Sequence, residues 1–565
     1  MSRLFILITT GIGLYISHTT YAQLPADSVI YHKYWIQFSD KNNSPFSLQH
    51  PEAFLSQRAI ERRNRQGIHL DSTDLPVSPF YVDSVLSTGV RLLLKSKWLN
   101  GVAVETTDTA ALRKIAAMPF VKEILPAAAY TYQDTSDTSG IESIRYIASP
   151  VRIPNLLFDE ELYGSSFNQI HLVHGEYLHE QGFRGEGMLI AVLDAGFYRA
   201  DSLSAFDSLW LNNRVVAVRD FVSGLDDSIY RESTHGMSVL SIMSGNLPGQ
   251  MYGTAPAASY LLVRTEDART EYRIEEYNWA AGAEFADSLG ADVINSSLGY
   301  TRFDDPQMHY TYADMNGETA IVSRAAHMAA SKGMIVVTSA GNQGNGSWKY
   351  ISAPADAADI LSVGALDTQG QYVSFSSRGP TADGRVKPDV AAQGKDVVHV
   401  SYSGMLSTGN GTSFASPIIA GLAACLWQAF PEKTAMQMIG QIIQSCSSVA
   451  FPNDSVGNGI PDFRLAFLKL LEEKGPIYYR EYSPVAFPNP FSDELHIMVF
   501  TPAAGTCFVE ISDAMGRVVA RQQRLVRELR FHQFDFNGLH ALQSGIYLCR
   551  IGNGKDVKTL RLLKF

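Results

Sequence analysis

Between about residues 165 and 475, short apolar runs alternate with helix-length segments, and this limits the chain's fold more than any other feature. Residues 188–193, 260–264, 292–296 and 334–339 read as buried strands, and 236–244, 273–288 and 319–331 as the helices between them. Strands spaced in this way need crossover connections. The expected fold class is therefore α/β, a mainly parallel sheet with helices on both faces. In such sheets ligand sites gather beyond the carboxyl ends of the strands.

Four short segments of this block carry side chains suited to one chemistry. The strand Leu189-Ile190-Ala191-Val192-Leu193 ends in the carboxylate of Asp194, followed by Ala195-Gly196. His235 stands in Thr234-His235-Gly236 at the start of a helix. Asn342 closes Ser339-Ala340-Gly341-Asn342 just after a strand. Ser413 lies in Gly411-Thr412-Ser413-Phe414-Ala415-Ser416-Pro417, which opens the most apolar helix of the chain. A carboxylate can hold an imidazole in the required tautomer, and the imidazole can take a serine's proton. The unpaired N–H groups of a helix N-terminus, with an Asn amide, suit a developing oxyanion. Singly, each has a plain structural reading as a cap, a core histidine or a turn. Their joint occurrence favours the chemical one.

The order Asp, His, Asn, Ser, within DAG, HG, SAGN and GTSFASP, resembles the subtilisin family of serine endopeptidases across about 165–475. Gly253-Thr254-Ala255-Pro256, Phe375-Ser376-Ser377-Arg378-Gly379-Pro380 and Lys387-Pro388-Asp389 add to the likeness. The resemblance implies that Asp194 orients His235, that His235 is general base and then acid, that Ser413 is the nucleophile and that Asn342 donates to the oxyanion. It also implies that Ser296, Ser297, Leu298 and Gly299 form an edge for an extended peptide, with Ala340 and Gly341 beside it. Ser352, in Ser352-Ala353-Pro354, would then stand at the floor of a deep primary pocket suited to large apolar or aromatic side chains. Ala195 departs from the family, which usually has Ser or Thr there, and the expectation is altered tuning rather than lost activity. The chemistry requires no cofactor. A structural calcium ion is compatible with the family, although Asn453-Asp454-Ser455-Val456-Gly457-Asn458-Gly459 reads better as a turn than as a calcium loop.

The flanks read differently. Residues 1–22 carry Arg3, an apolar stretch of 13 and Thr20-Tyr21-Ala22, the pattern of a cleaved export signal rather than a membrane span. Residues 23–129 read as a ferredoxin-like α+β unit, with strands at 34–38, 90–96, 102–105 and 121–125 and helices at 51–65 and 110–118. This unit resembles the inhibitory propeptide of subtilases. The Arg58 to Arg65 cluster reads as the exposed face of its first helix. Residues 130–164, rich in Thr, Ser and Asp, read as an exposed connector holding the maturation site. The catalytic unit spans 165–478. Residues 479–565 read as a linker and β-sandwich. There Ala486-Phe487-Pro488-Asn489-Pro490-Phe491, Asp513-Ala514-Met515-Gly516-Arg517 and Ser544-Gly545-Ile546-Tyr547 resemble the C-terminal sorting domain of the type IX (Por) secretion system.

Charge separates the same units. The chain carries −11 overall, while 23–126 and 483–565 are at +2 and +3 and the leader at +1, so 127–482 holds −17. Nucleic acid is therefore a poor partner. The expected partners are protein or peptide substrates, the chain's own propeptide and the type IX machinery. The expected destination is secretion or attachment at the surface of a Gram-negative type bacterium. Cys425, Cys446, Cys507 and Cys549 allow local disulfides or buried thiols, and no CxxC pair suggests zinc. Two other readings stay open: a catalytically dead subtilase scaffold that binds or adheres, and an acid-acting serine-carboxyl peptidase.

Overall fold

The computed structural model describes residues 31–129, 160–473 and 484–564, apart from 488, 502–503, 528–529 and 554–555. The export signal and nearly all of the expected connector lie outside the described residues.

The N-terminal unit runs β1 (Tyr31–Phe38), α1 (Gln57–Gln66), α2 (Pro79–Leu86), β2 (Arg91–Ser96), β3 (Gly101–Glu105), α3 (Thr109–Ala116) and β4 (Val121–Ala129). Its antiparallel sheet has the order β2-β3-β1-β4, with α1 and α2 between β1 and β2 and α3 between β3 and β4. The helix expected at 51–65 is divided. A 3-10 turn at Pro51–Ala53 stops, and α1 starts afresh where the Ser56 hydroxyl accepts the Ala59 N–H as a cap. Sequence reading missed α2, although Pro79 in its first turn is a start signal.

In the central unit seven strands form one parallel sheet. They are β5 (Leu189–Asp194), β6 (Val215–Asp220), β7 (Ser259–Arg264), β8 (Val293–Ser296), β9 (Ile335–Ser339), β10 (Leu361–Leu366) and β11 (Val390–Gln393). Their order is β11-β10-β9-β8-β5-β7-β6. After β7 the chain crosses back over β5 to lay down β8, so the winding reverses between β5 and β8. A crevice opens outside the carboxyl ends of strands at such a reversal. Helices that pack on the sheet include α4 (His235–Ser244), α5 (Ile274–Leu289), α6 (Ile321–Ser331) and α7 (Thr412–Ala429). The alternation along β5 serves two cores. Ile190 and Val192 face a core shared with α4 and α7, while Leu189, Ala191 and Leu193 face one shared with α5 and α6. Although α7 is apolar enough to cross a membrane, it is buried in the first of these cores.

The second core continues into the N-terminal unit, where Trp35 stacks on Tyr277 of α5 with ring centroids 4.3 Å apart. This contact corrects the reading of the arginine cluster. Arg62 and Arg63 are 0% and 1% exposed and point into the junction with α5; only Arg58 and Arg65 keep substantial access to solvent.

The C-terminal unit holds two antiparallel sheets, one of three strands and one of four. Gly516, at φ 78°, makes the turn of the hairpin between Gly505–Ser512 and Val518–Val526. All four cysteines are buried free thiols.

Candidate active site

Three strand ends and two helix starts converge at the crevice. Asp194 ends β5 and is fully buried; its Oδ1 accepts from the Ala195 N–H at 2.7 Å and lies 2.8 Å from His235 Nδ1. His235 is the first residue of α4, which brings its ring to the strand end. The glycine after it is needed for close approach: a Cβ on Gly236 would stand 2.4 Å from the Gly196 carbonyl and 2.7 Å from the Asp194 Cβ. Among the described residues, Asp194 Oδ2 is buried without a hydrogen-bond partner.

Ser413 sits in the first turn of α7 and is locked to the residues after β8. Its hydroxyl donates to the Ser297 carbonyl at 3.2 Å, and the Ser297 hydroxyl donates back to the Ser413 carbonyl at 2.8 Å. One turn on, Ser416 donates to Asn295 Oδ1 at 2.8 Å. The Asn342 amide is oriented by the same helix start. Its Oδ1 accepts the Thr412 N–H at 2.9 Å and the Thr412 hydroxyl at 3.0 Å. A backbone donor there requires the oxygen end to face the helix, so Nδ2 is the end that can donate elsewhere.

His235, Asn342 and Ser413 line one cleft of about 600 Å³ together with Ser297, Leu298, Gly299, Gly341 and Ser352. Two residues expected beside the substrate do not line it. The Ser296 hydroxyl accepts from Trp279 Nε1 at 2.8 Å inside the core, and Ala340 packs with Ile351 and Ala355. Gly299 is one of the residues expected to edge an extended peptide. Its observed close neighbour is the chain itself, because a Cβ there would stand 2.3 Å from Ser352 Oγ.

The sequence reading passed over the cleft's acidic wall of Glu266, Asp267, Glu271, Glu275 and Asp304. The density of acids in 266–276 was its visible signal. Burial, with repulsion from neighbouring carboxylates, raises the carboxyls of Glu266, Glu271 and Glu275 above the usual range. Ligand oxygens of these three lie within 4.8 Å of one another, a spacing that could hold a cation. However, both Glu275 oxygens already accept N–H groups, from Asp267 and Tyr272, and Glu266 accepts the Thr265 and Tyr300 hydroxyls. At 453–459 the Asn453 side chain accepts the N–H groups of Ser455 and Val456, which closes a turn.

The chain is similar to known proteins in all three of its units. Residues 185–460 match the model of the subtilase family, 33–140 that of the peptidase S8 propeptide domain of Bacteroidota, and 485–564 that of the secretion system C-terminal sorting domain. The chain is 30% identical to subtilisin of Bacillus pumilus over 264 residues, 46% of this chain and 84% of that one. It is 27% identical to subtilisin E of Bacillus subtilis (strain 168) over 359 residues, 63% and 78% of the two chains. A solved structure of the MycP3 protease from the type VII (ESX-3) secretion system is 23% identical with a TM-score of 0.43, covering 55% of this chain and 89% of that one.

Proposed function

The chain belongs to the subtilase family, a serine peptidase with an N-terminal propeptide and a C-terminal secretion sorting domain, and on that premise we propose that it is a secreted endopeptidase acting through Ser413, His235, Asp194 and Asn342. The sorting domain marks it for export and for secretion or attachment at the cell surface. The observation that carries the proposal is the Asp194–His235 contact of 2.8 Å, in the same cleft as Ser413 and Asn342.

The chemistry follows from which atoms are already engaged. Asp194 Oδ1 accepts the proton on His235 Nδ1, so Nε2 is the basic nitrogen. Ser413 Oγ rotates away from the Ser297 carbonyl, gives its proton to Nε2 and bonds to the scissile carbonyl carbon. Negative charge then builds on the carbonyl oxygen, where Asn342 Nδ2 and the Ser413 N–H in the first turn of α7 donate to it. The imidazolium returns its proton to the leaving amine as the C–N bond breaks. Water, deprotonated by the same nitrogen, releases the acyl group and restores Ser413.

Backbone groups of 297–299, just past the end of β8, supply the edge for an extended peptide. The small Ser352 between Gly299 and Gly341 leaves room for a large apolar or aromatic side chain, and a peptide library cleaved only after acidic residues would contradict this. A structural calcium ion remains a proposal from the family likeness, and the chemistry routes no step through it. The main test is a fluorophosphonate probe on the matured protein. Labelling in the parent and none in Ser413→Ala is expected, whereas no labelling of a folded, matured protein would overturn the reading.

A further inference from the structure

The junction between the propeptide and α5 holds a cluster of charges with no part in the chemistry. Asp287, on the last turn of α5, is fully buried. Its carboxylate meets Arg62 at 2.5 Å, Arg63 at 2.8 Å and Lys97 Nζ at 3.0 Å, all three from the propeptide. Glu284, one turn earlier, accepts the Lys97 and Trp98 N–H groups at 2.8 and 3.0 Å. Next to the helix end, Arg58 pairs with Asp292 and donates to the Gly290 carbonyl at 2.9 Å.

Two buried acids near a helix C-terminus oppose the helix dipole, and cations at that end favour it. The propeptide supplies those cations. Three charges on one buried carboxylate hold it well below the usual carboxylate range despite its desolvation. Glu275 lines the cleft and Asp287 lies twelve residues further along α5, about 18 Å at 1.5 Å per residue. The cluster is therefore separate from the site where a substrate's backbone would lie.

We propose that Asp287 on the last turn of α5 forms a binding site, remote from the cleft, for the guanidinium groups of Arg62 and Arg63 and the ammonium group of Lys97, and that this charge cluster sets how long the propeptide stays bound once the connector is cut. The proposal rests on the reading of 31–129 as the segment that maturation removes. Breaking a buried pair leaves the remaining charge uncompensated, so loss of one partner weakens binding far more than loss of an exposed pair.

The experiment uses the full chain carrying Ser413→Ala and an inserted exogenous protease site within 130–159. After nicking, dissociation of the N-terminal fragment is followed by size-exclusion chromatography on dilution. This readout does not depend on catalysis, so it is informative even if Ser413 fails to react with the probe. Asp287→Asn is expected to speed release at least about 100-fold. Lys97→Met, which leaves the catalytic unit untouched, is expected to speed it at least about 10-fold. Glu105→Gln breaks only the exposed pair with Arg91 and is expected to change release less than about threefold. A nicked parent that loses the fragment at once, or Asp287→Asn and Lys97→Met complexes that both dissociate within threefold of the parent, would overturn the proposal. Should Asp287→Asn fail to fold, Lys97→Met alone decides.

Discussion

Ala195→Ser tests the reading of the charge-orienting end of the site. Asp194 is fully buried and uses only one oxygen: Oδ1 carries both the Ala195 N–H and His235, while Oδ2 has no partner among the described residues. A buried acceptor left unsatisfied costs about 1–3 kcal/mol. Ala195 lines the cleft, so a hydroxyl on its Cβ has room without displacing the core. If that hydroxyl donates to Oδ2, the gain is about 1–2 kcal/mol. A unit of about 300 residues unfolds with roughly 0.6 kcal/mol/K, so Tm should rise about 2–3 °C. The assay is thermal unfolding in a Ser413→Ala background, which prevents self-digestion. In the active background kcat/KM should stay within about threefold, because the contact with His235 through Oδ1 is unchanged. A Tm that falls or does not move would refute the argument that Oδ2 lacks a donor.

Asn342→Ala should lower kcat about 10²–10³-fold with KM little changed, a magnitude measured on subtilisin itself and carried over here; Ser413→Ala should lower it about 10⁶-fold, likewise carried over. Active-site titration with steady-state kinetics checks both, and a tenfold loss or less in either would contradict the assigned roles. Gly236→Ala should cost at least about 10²-fold in kcat, since its Cβ would push the Asp194–His235 pair apart; an unchanged rate would refute that packing argument. His179 is buried between the Tyr163 hydroxyl and the Thr254 carbonyl, and burial lowers it from 6.5 to about 4. The unfolded chain binds that proton first as pH falls. Stability from this group is thus complete above pH 6.5 and falls by about 3 kcal/mol on the way to pH 4. Tm against pH for parent and His179→Asn should converge at acid pH, and parallel curves would refute the assignment. A reductant should move Tm by less than about 1 °C, because all four cysteines are free thiols; a drop of several degrees would reveal a disulfide.

Much of the architecture was legible because it follows from local rules. Period and length identified four of the seven sheet strands and the helices after them, since a strand buried on both faces must be continuously apolar. The missed strands are β6 and β11, at the two edges of the sheet with apolar runs of only four and three residues, and β10, whose apolar run is broken by Ser362 and Gly364. The four candidate positions Asp194, His235, Asn342 and Ser413 were visible because each stands at or near the start or end of an element. What they do together depends on strand order: β5 and β8 are neighbours only because the chain crosses back after β7.

Motifs and periodicity thus determined by themselves the α/β class, the kind of flanking units and the candidate residues for the proposed chemistry, because each depends on neighbours along the chain. Only the tertiary structure decided that Ser296 and Ala340 turn into the core, that five acids wall the cleft, and that Arg62 and Arg63 are buried. On an isolated helix, α1's arginines would belong to a solvated face. Their burial depends on Asp287, more than 220 residues away in sequence, and no local pattern records a partner that folding alone brings within 3 Å.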